Sequence, residues 1–286
     1  MKTHVITSLY DTAHHRKRMG KGPERFLSAG LVQRLEALGQ TVITATVDPV
    51  PAFPAEVETG FTVMRGVAEA VQAAVAAGAF PLVLAGNCNT TVGTVSGLGP
   101  RRIGVVWFDA HADFNTPETS GTGFLDGMGL AILTGRCWQA LAGTIPGYAP
   151  LSDDRVVLAG ARDLDVLERE RLEGCAIACL SDAALNAEDG PERMSTALDV
   201  LAQEVEAVHL HIDLDVHDAR IAPANHFQPP GGLAPQRLQD MVAQVAERLP
   251  VASAYLGAYD PEVDPERVTL KSGFALIETI VKSLDA

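Results

Sequence analysis

Apolar residues fall along the chain in two alternating patterns. Short runs at 81–84, 103–108, 155–159, 207–212 and 253–256 are nearly continuous, as in strands covered on both faces. Residues 4–9 and 41–47 are also strand-like, the second rich in β-branched side chains. Between these runs the apolar positions take helical spacing. At 23–38 they are Phe26, Leu27, Leu31, Leu35 and Leu38, and the pattern stops at Gly39, a typical helix end. Residues 61–77, ending before Gly78, and 191–205, 235–248 and 272–284 read the same way. This alternation predicts an α/β fold with a mostly parallel sheet and helices on both faces. No repeat, low-complexity tract or clear linker interrupts it, so residues 1–286 are read as a single domain.

Composition narrows the class. With 47% apolar residues the chain can bury enough surface to offset its ordering entropy, which excludes disorder. Lys+Arg number 22 and Asp+Glu 36, a net charge of −14, which argues against a nucleic-acid partner. Apolar stretches such as 103–108, and 79–85 with its Pro81, fall far short of the ~20 residues that span a bilayer. The basic run 14–18 follows the first apolar patch, the wrong order for an export signal, so a cytoplasmic protein without a membrane partner is expected. Four cysteines do not make a disulfide scaffold; Cys175 and Cys179 read as small buried residues around a strand.

Parallel sheets carry their chemistry just beyond the C-terminal ends of the strands. Asp109-Ala110-His111-Ala112-Asp113 follows the run 103–108. Asp213-Leu214-Asp215, then Asp218, follows 207–212, and Gly86-Asn87-Cys88-Asn89 follows 81–84. Alternate residues of an extended segment share a face, so Asp109, His111 and Asp113 are expected to meet one site, as are Asp213 and Asp215. Four carboxylates and one imidazole repel one another without a cation. Such an oxygen-rich set suits a divalent ion such as Mn²⁺, and its excess of carboxylates suggests two ions sharing a water.

These two clusters, Asp109-Ala-His111-Ala-Asp113-Phe-Asn115-Thr-Pro-Glu-Thr and Asp213-Leu-Asp215-Val-His-Asp218, resemble the strongest signatures of the arginase/agmatinase (ureohydrolase) family. Segments 22–39, Arg162-Asp163-Leu164-Asp165 and 229–233 are similar to further family segments, so the resemblance covers most of the chain. It implies a three-layer α/β/α fold, a binuclear Mn²⁺ centre, hydrolysis of a guanidinium or similar C–N bond by a bridging hydroxide, and assembly as trimers or hexamers. Asp109 and Asp213 would bridge the ions, Asp113 would complete the first ion's set, and His111 and Asp215 the second's. Asn115, Ser120 and Thr122 match the stretch that grips a substrate carboxylate. Asp165 matches the residue that receives the α-amino group, with Asp163 beside it.

The pattern breaks at four places. Cys88 stands where the family has its first His ligand; metal ligand, buried filler and nucleophile are all open for it, and one metal site is expected to be altered. Asp126 takes the place of the family's proton-shuttling His. Ala258 takes the place of the acid that pairs with the guanidinium, and Asp260, two residues on, faces the site if the segment stays extended. Asn225-His226-Phe227-Gln228 replaces a small, Thr-containing stretch, with His226 a candidate acid/base. The leading expectation is a metal-dependent hydrolase of a guanidino- or amidino-type amino-acid derivative, for instance a modified or hydroxylated arginine. The alternatives are a non-catalytic, metal-depleted binding protein of the same fold and a Cys88-dependent amidino or acyl transferase.

Overall fold

The computed structural model describes residues 1–49, 53 and 55–284. Its strands are β1 (Lys2–Ser8), β2 (Tyr10–Asp11), β3 (His14–His15), β4 (Thr41–Val47), β5 (Phe80–Ala85), β6 (Ile103–Phe108), β7 (Val156–Ala159), β8 (Ala178–Leu180), β9 (Ala207–Asp213) and β10 (Val251–Gly257). Eight of them form one sheet in the order β4-β1-β5-β10-β9-β6-β7-β8, with every neighbouring pair parallel. Strands β2 and β3 form a small antiparallel hairpin at the end of β1. Interior strands such as β5, β6 and β9 are buried at every position, which is why their sequences are apolar without alternation. The edge strand β4 is largely open to solvent.

Each sheet face carries its own apolar core, so the fold is three-layered. On one face Phe26, Leu35, Leu198, Leu238, Val242 and Ile277 pack from the helices Gly22–Ser28, Leu31–Ala37, Gly190–Glu204, Pro235–Arg248 and Val268–Ser283. On the other, Met64, Val67, Val92, Leu130 and Leu172 pack from Glu56–Ala76, Thr90–Gly97, Gly129–Leu133 and Val166–Glu173. Among the described residues no helix is long and apolar enough to cross a membrane.

Several local expectations are corrected. The pattern at 23–38 is not one helix: it breaks at Ala29-Gly30, where Gly30 turns to φ 95 and the chain restarts as Leu31–Ala37. The helix expected at 61–77 begins at Glu56, with Glu56 and Glu58 in its first turn where acids favour the helix dipole. The last helix begins at Val268 rather than 272. Cys179 is exposed on the edge strand β8 and Cys175 is half-buried, so the pair is not core filler.

Parallel strands end together. The segments after β5, β6, β9 and β10 therefore emerge along one edge of the sheet. The loop after β5 passes beneath the hairpin so closely that a Cβ on Gly86 would collide with the carbonyl of Tyr10 and lie 2.8 Å from the amide of Gly20. Glycine at that position lets Cys88 sit against the strand ends.

Candidate metal centre and cavity

Asp109, Asp213 and Asp215 meet at the ends of β6 and β9, all at most 4% exposed. Each is held by backbone amides. Asp109 Oδ1 accepts from His111 N (2.8 Å), Asp213 Oδ1 from Asp215 N (2.7 Å) and Asp215 Oδ1 from Ala110 N (3.1 Å). Trp107 Nε1 donates to Asp109 Oδ2 at 2.9 Å. His111 Nδ1 lies 3.2 Å from Asp215 Oδ2 and 3.4 Å from Asp109 Oδ1. Cys88 Sγ donates to Asp213 Oδ2 at 2.9 Å, with the Tyr255 hydroxyl 3.8 Å from the sulfur.

The convergence of Asp109, His111 and Asp113 does not arise from an extended segment. Asp113 has φ 50, and its carbonyl accepts from Leu130 N and Ala131 N, so a loop anchored on the helix Gly129–Leu133 turns its side chain inward. Asp113 Oδ2 is buried without a hydrogen-bond partner.

The electrostatics of the cluster are those of excess acid. Burial raises Asp109, Asp113 and Asp213 above the ordinary carboxylate range, and the neighbouring carboxylates push them further. Burial works against protonated His111, but Asp215 and Asp109 more than reverse this and raise it well above its usual value. Burial also opposes the charge of Asp215, yet His111 and local hydrogen bonds hold it at about 2. Burial, then Asp213, Asp126 and Asp109, drive the Cys88 thiol well upward. In the metal-free protein Cys88 is therefore a protonated thiol.

Above the cluster opens a cavity of about 560 Å³ lined by Cys88, His111, Asp113, Asp213 and Asp215 and by Asn115, Ser120, Thr122, Asp126, Asp163 and Asp165. Asn115 Nδ2 donates to Asp165 Oδ2 at 3.0 Å, joining two of the expected substrate residues. Asp126 accepts from Asn87 Nδ2 (2.7 Å) and Asn89 N (3.0 Å), and burial raises it to about 7. Two expected residues are not brought in. Asp260 is 1% exposed and outside the lining. The chain ceases to be extended at Ala258 (φ 53), and Asp260 instead bonds Ala224 O through its amide and Glu262 N through Oδ1. His226 is exposed and also outside the lining.

Other residues reach the site without having been singled out. Glu168 accepts from Phe114 N (2.9 Å) and Asp165 N (3.3 Å), lines the cavity, and is raised by burial to about 7. Its signal was the helix-start spacing Asp165-x-x-Glu168. Glu56 and Arg18 also line the cavity, Arg18 Nε sitting 2.6 Å from buried Asp11. His211 is fully buried beside Asp109, on the same face of β9 as Asp213 two residues later. Arg162 ties the surrounding loops together, donating to the carbonyls of Asp215 (2.9 Å), His217 (3.1 Å), Pro229 (3.1 Å) and Pro230 (3.1 Å). Arg162→Ala is expected to lower stability by about 1–3 kcal/mol, since the carbonyls of Pro229 and Pro230 lose their charged donor while those of Asp215 and His217 keep Gln228 Nε2. Urea unfolding checks this, and a loss below ~1 kcal/mol would mean that water replaces the guanidinium.

The donors fit divalent metal ions. Asp109, His111 and Asp215 offer ligand atoms within 4.8 Å of one another, and Cys88, Asp109 and His211 form a second such group. Among the described residues the lining carries eight carboxylates against Arg18 and His111, and orphaned Asp113 Oδ2 lies among them.

The chain is similar to known proteins along nearly its whole length. The arginase family profile matches residues 2–282. The arginase of Bacillus caldovelox is 30% identical over 289 residues, covering 96% of this chain and 96% of that one. Among solved structures, Bacillus cereus arginase aligns with a TM-score of 0.88 at 27% identity, over 98% of both chains. The native Bacillus caldovelox arginase gives 0.88 at 29% identity, again over 98% of both.

Proposed function

The chain belongs to the arginase family, and from that premise we propose that it is a metal-dependent hydrolase cleaving a C–N bond in a guanidino- or amidino-type amino-acid derivative. The observation that carries this reading is the buried acid cluster at the strand ends, opening into a cavity lined by polar side chains. Asp109, Asp113, Asp213, Asp215, His111 and Cys88 would hold two divalent ions, Mn²⁺ suiting the carboxylate-rich part of the set. Bound ions of this kind acidify water and polarise the scissile group.

The chain's own residues supply orientation and proton handling. Asp163 and Asp165 at the rim offer acceptors to an α-ammonium group. Ser120 and Thr122 offer hydroxyls to an α-carboxylate; Ser120 Oγ already accepts from Gly123 N at 2.9 Å, which leaves its proton free to donate. Asp126, at about 7, can hold or release a proton near neutral pH at the cavity wall.

The substrate proposed first is a modified or hydroxylated arginine. Ala258, buried and lining the cavity, offers no carboxylate to pair with a full guanidinium charge. A hydroxyl on a guanidine nitrogen lowers its basicity, so such a substrate needs that partner less. The whole chain is proposed as one catalytic unit, since the sheet takes strands from residue 2 to residue 257. A cytoplasmic location and assembly as a trimer or hexamer are proposed with it.

The test is a panel of arginine, N-hydroxyarginine, agmatine and amidino acids offered to metal-loaded protein. Release of urea, hydroxyurea, formamide or ammonia is expected, with the modified arginine turned over faster than arginine. Folded, metal-loaded protein that turns over nothing would overturn the reading.

A further inference from the structure

We propose that His211 is a ligand of the first of the two ions, supplying from the sheet the imidazole that the Cys88 loop does not. This rests on the metal-dependent reading above. His211 stands two residues before the end of β9, opposite Trp107 on β6 and Tyr255 on β10 in register. The three rings stack: Trp107 to His211 at 3.6 Å and 13°, His211 to Tyr255 at 4.4 Å and 6°. Held between two larger rings, the imidazole cannot turn out of its plane.

Its two nitrogens have different surroundings. Nδ1 is 2.6 Å from Thr91 Oγ1, at the start of the helix that follows the Cys88 loop. With Nδ1–H donated to that hydroxyl, Nε2 presents a bare lone pair, the arrangement that orients metal-binding histidines. Nε2 is fully buried and has no hydrogen-bond partner. It faces Asp109 Oδ2 at 3.9 Å, too far for a hydrogen bond. An ion with bonds of ~2.0–2.3 Å to each atom would span that gap at a wide angle. Cys88, Asp109 and His211 all offer ligand atoms within 4.8 Å of one another.

The consequence is a site of mixed chemistry. Sulfur from Cys88, nitrogen from His211 and oxygen from Asp109 form a softer set than His111, Asp109 and Asp215. Such a set favours Zn²⁺ or Co²⁺ over Mn²⁺. Cys88 binds as thiolate, and its proton leaves to solvent when the ion enters.

The experiment loads full-length protein with Co²⁺ to stoichiometry. It measures bound metal per chain, the visible cobalt spectrum, and the number of imidazoles around the metal by X-ray absorption. Wild type is expected to take two ions with, on average, one imidazole per ion. His211→Phe keeps the ring stack and removes both nitrogens; it should weaken the first site by about 10²-fold or more and change the cobalt spectrum. Thr91→Val, which loses only the orienting bond, should weaken it less. If His211→Phe folds, takes two ions with wild-type affinity and leaves the spectrum unchanged, the proposal is wrong. If it does not fold, the imidazole count in wild type decides: a single imidazole for two ions overturns the role of His211 alone. Wild type that takes up no ion overturns the metal-dependent reading itself.

Discussion

Asp213→Asn is expected to lower kcat/KM by roughly 10³-fold or more, about 4 kcal/mol of transition-state stabilisation, and to leave the protein with at most one bound ion. The same substitution should make the metal-free protein more stable than metal-free wild type by about 1–2 kcal/mol. The opposite signs come from one cause. Asp213 is buried with Asp109 and Asp215 as near neighbours, and both burial and their charges resist its ionisation. The neutral amide removes a charge from that crowd. Its remaining oxygen can still accept from Asp215 N, as Oδ1 does now at 2.7 Å. What it cannot do is offer anionic oxygens to two ions. Metal analysis, steady-state kinetics and thermal melts in chelator check the three parts. A variant that is less stable without metal yet binds two ions would mean that Asp213 is a structural hydrogen-bond acceptor and no more.

The acids of this cluster were legible because parallel strands end together, so polar residues after different buried runs reach the same edge whatever the strand order. The way they converge was not legible. Alternation suggested that Asp109, His111 and Asp113 share a face, but Asp113 is turned inward by hydrogen bonds from Leu130 and Ala131, a contact that no local period encodes. Asp260 shows the same limit from the other side. Two-residue spacing carried it toward the site only while the chain stayed extended, and Ala258 ends that path. His211 lies inside the apolar run 207–212, where an imidazole carries no signal of its own. Only its neighbours in register, supplied by strands distant in sequence, show that one nitrogen is held and the other bare.

The fold was easier to read than its interruptions. Strand 103–108 and helix 235–248 match their observed bounds because the first is buried at every position and the second keeps one apolar face, Leu238, Met241, Val242 and Val245. The false continuity at 23–38 arose because two short helices, separated by Gly30, kept nearly the same apolar phase. The short strand β8 lies at the sheet edge with only β7 beside it, so exposed Cys179 lacks the surroundings that make a cysteine core.

The stabilisation conferred by metal is expected to grow as pH rises from about 4 to about 8. Asp126, from 3.8, and Glu168, from 4.5, are both raised by burial to about 7 in the metal-free fold. An acid whose folded pKa is raised contributes stability that is fully present below its unfolded pKa and is lost as pH passes through the folded one. For these two the loss therefore runs from about 4 to about 7, and Asp109, Asp113 and Asp213 shift in the same direction. Asp215, held at about 2, acts only below that window. Buried His209 and His217, lowered by burial to about 3 and about 4, have the opposite slope. Neither lines the cavity that Asp126 and Glu168 share with the proposed ligands, so each contributes similarly with or without metal and largely cancels in the difference between the two states. Divalent ions favour ionised carboxylates, so loading removes the acid-driven loss. At a free ion concentration of about 100 times Kd, each site adds about 2.7 kcal/mol. Two sites should then raise Tm by on the order of 10 °C at pH 8 and by much less at pH 5. Paired melts with chelator and with saturating Mn²⁺ or Co²⁺ measure the gap. A gap that stays constant across this range would mean that the buried acids do not share their field with the ions.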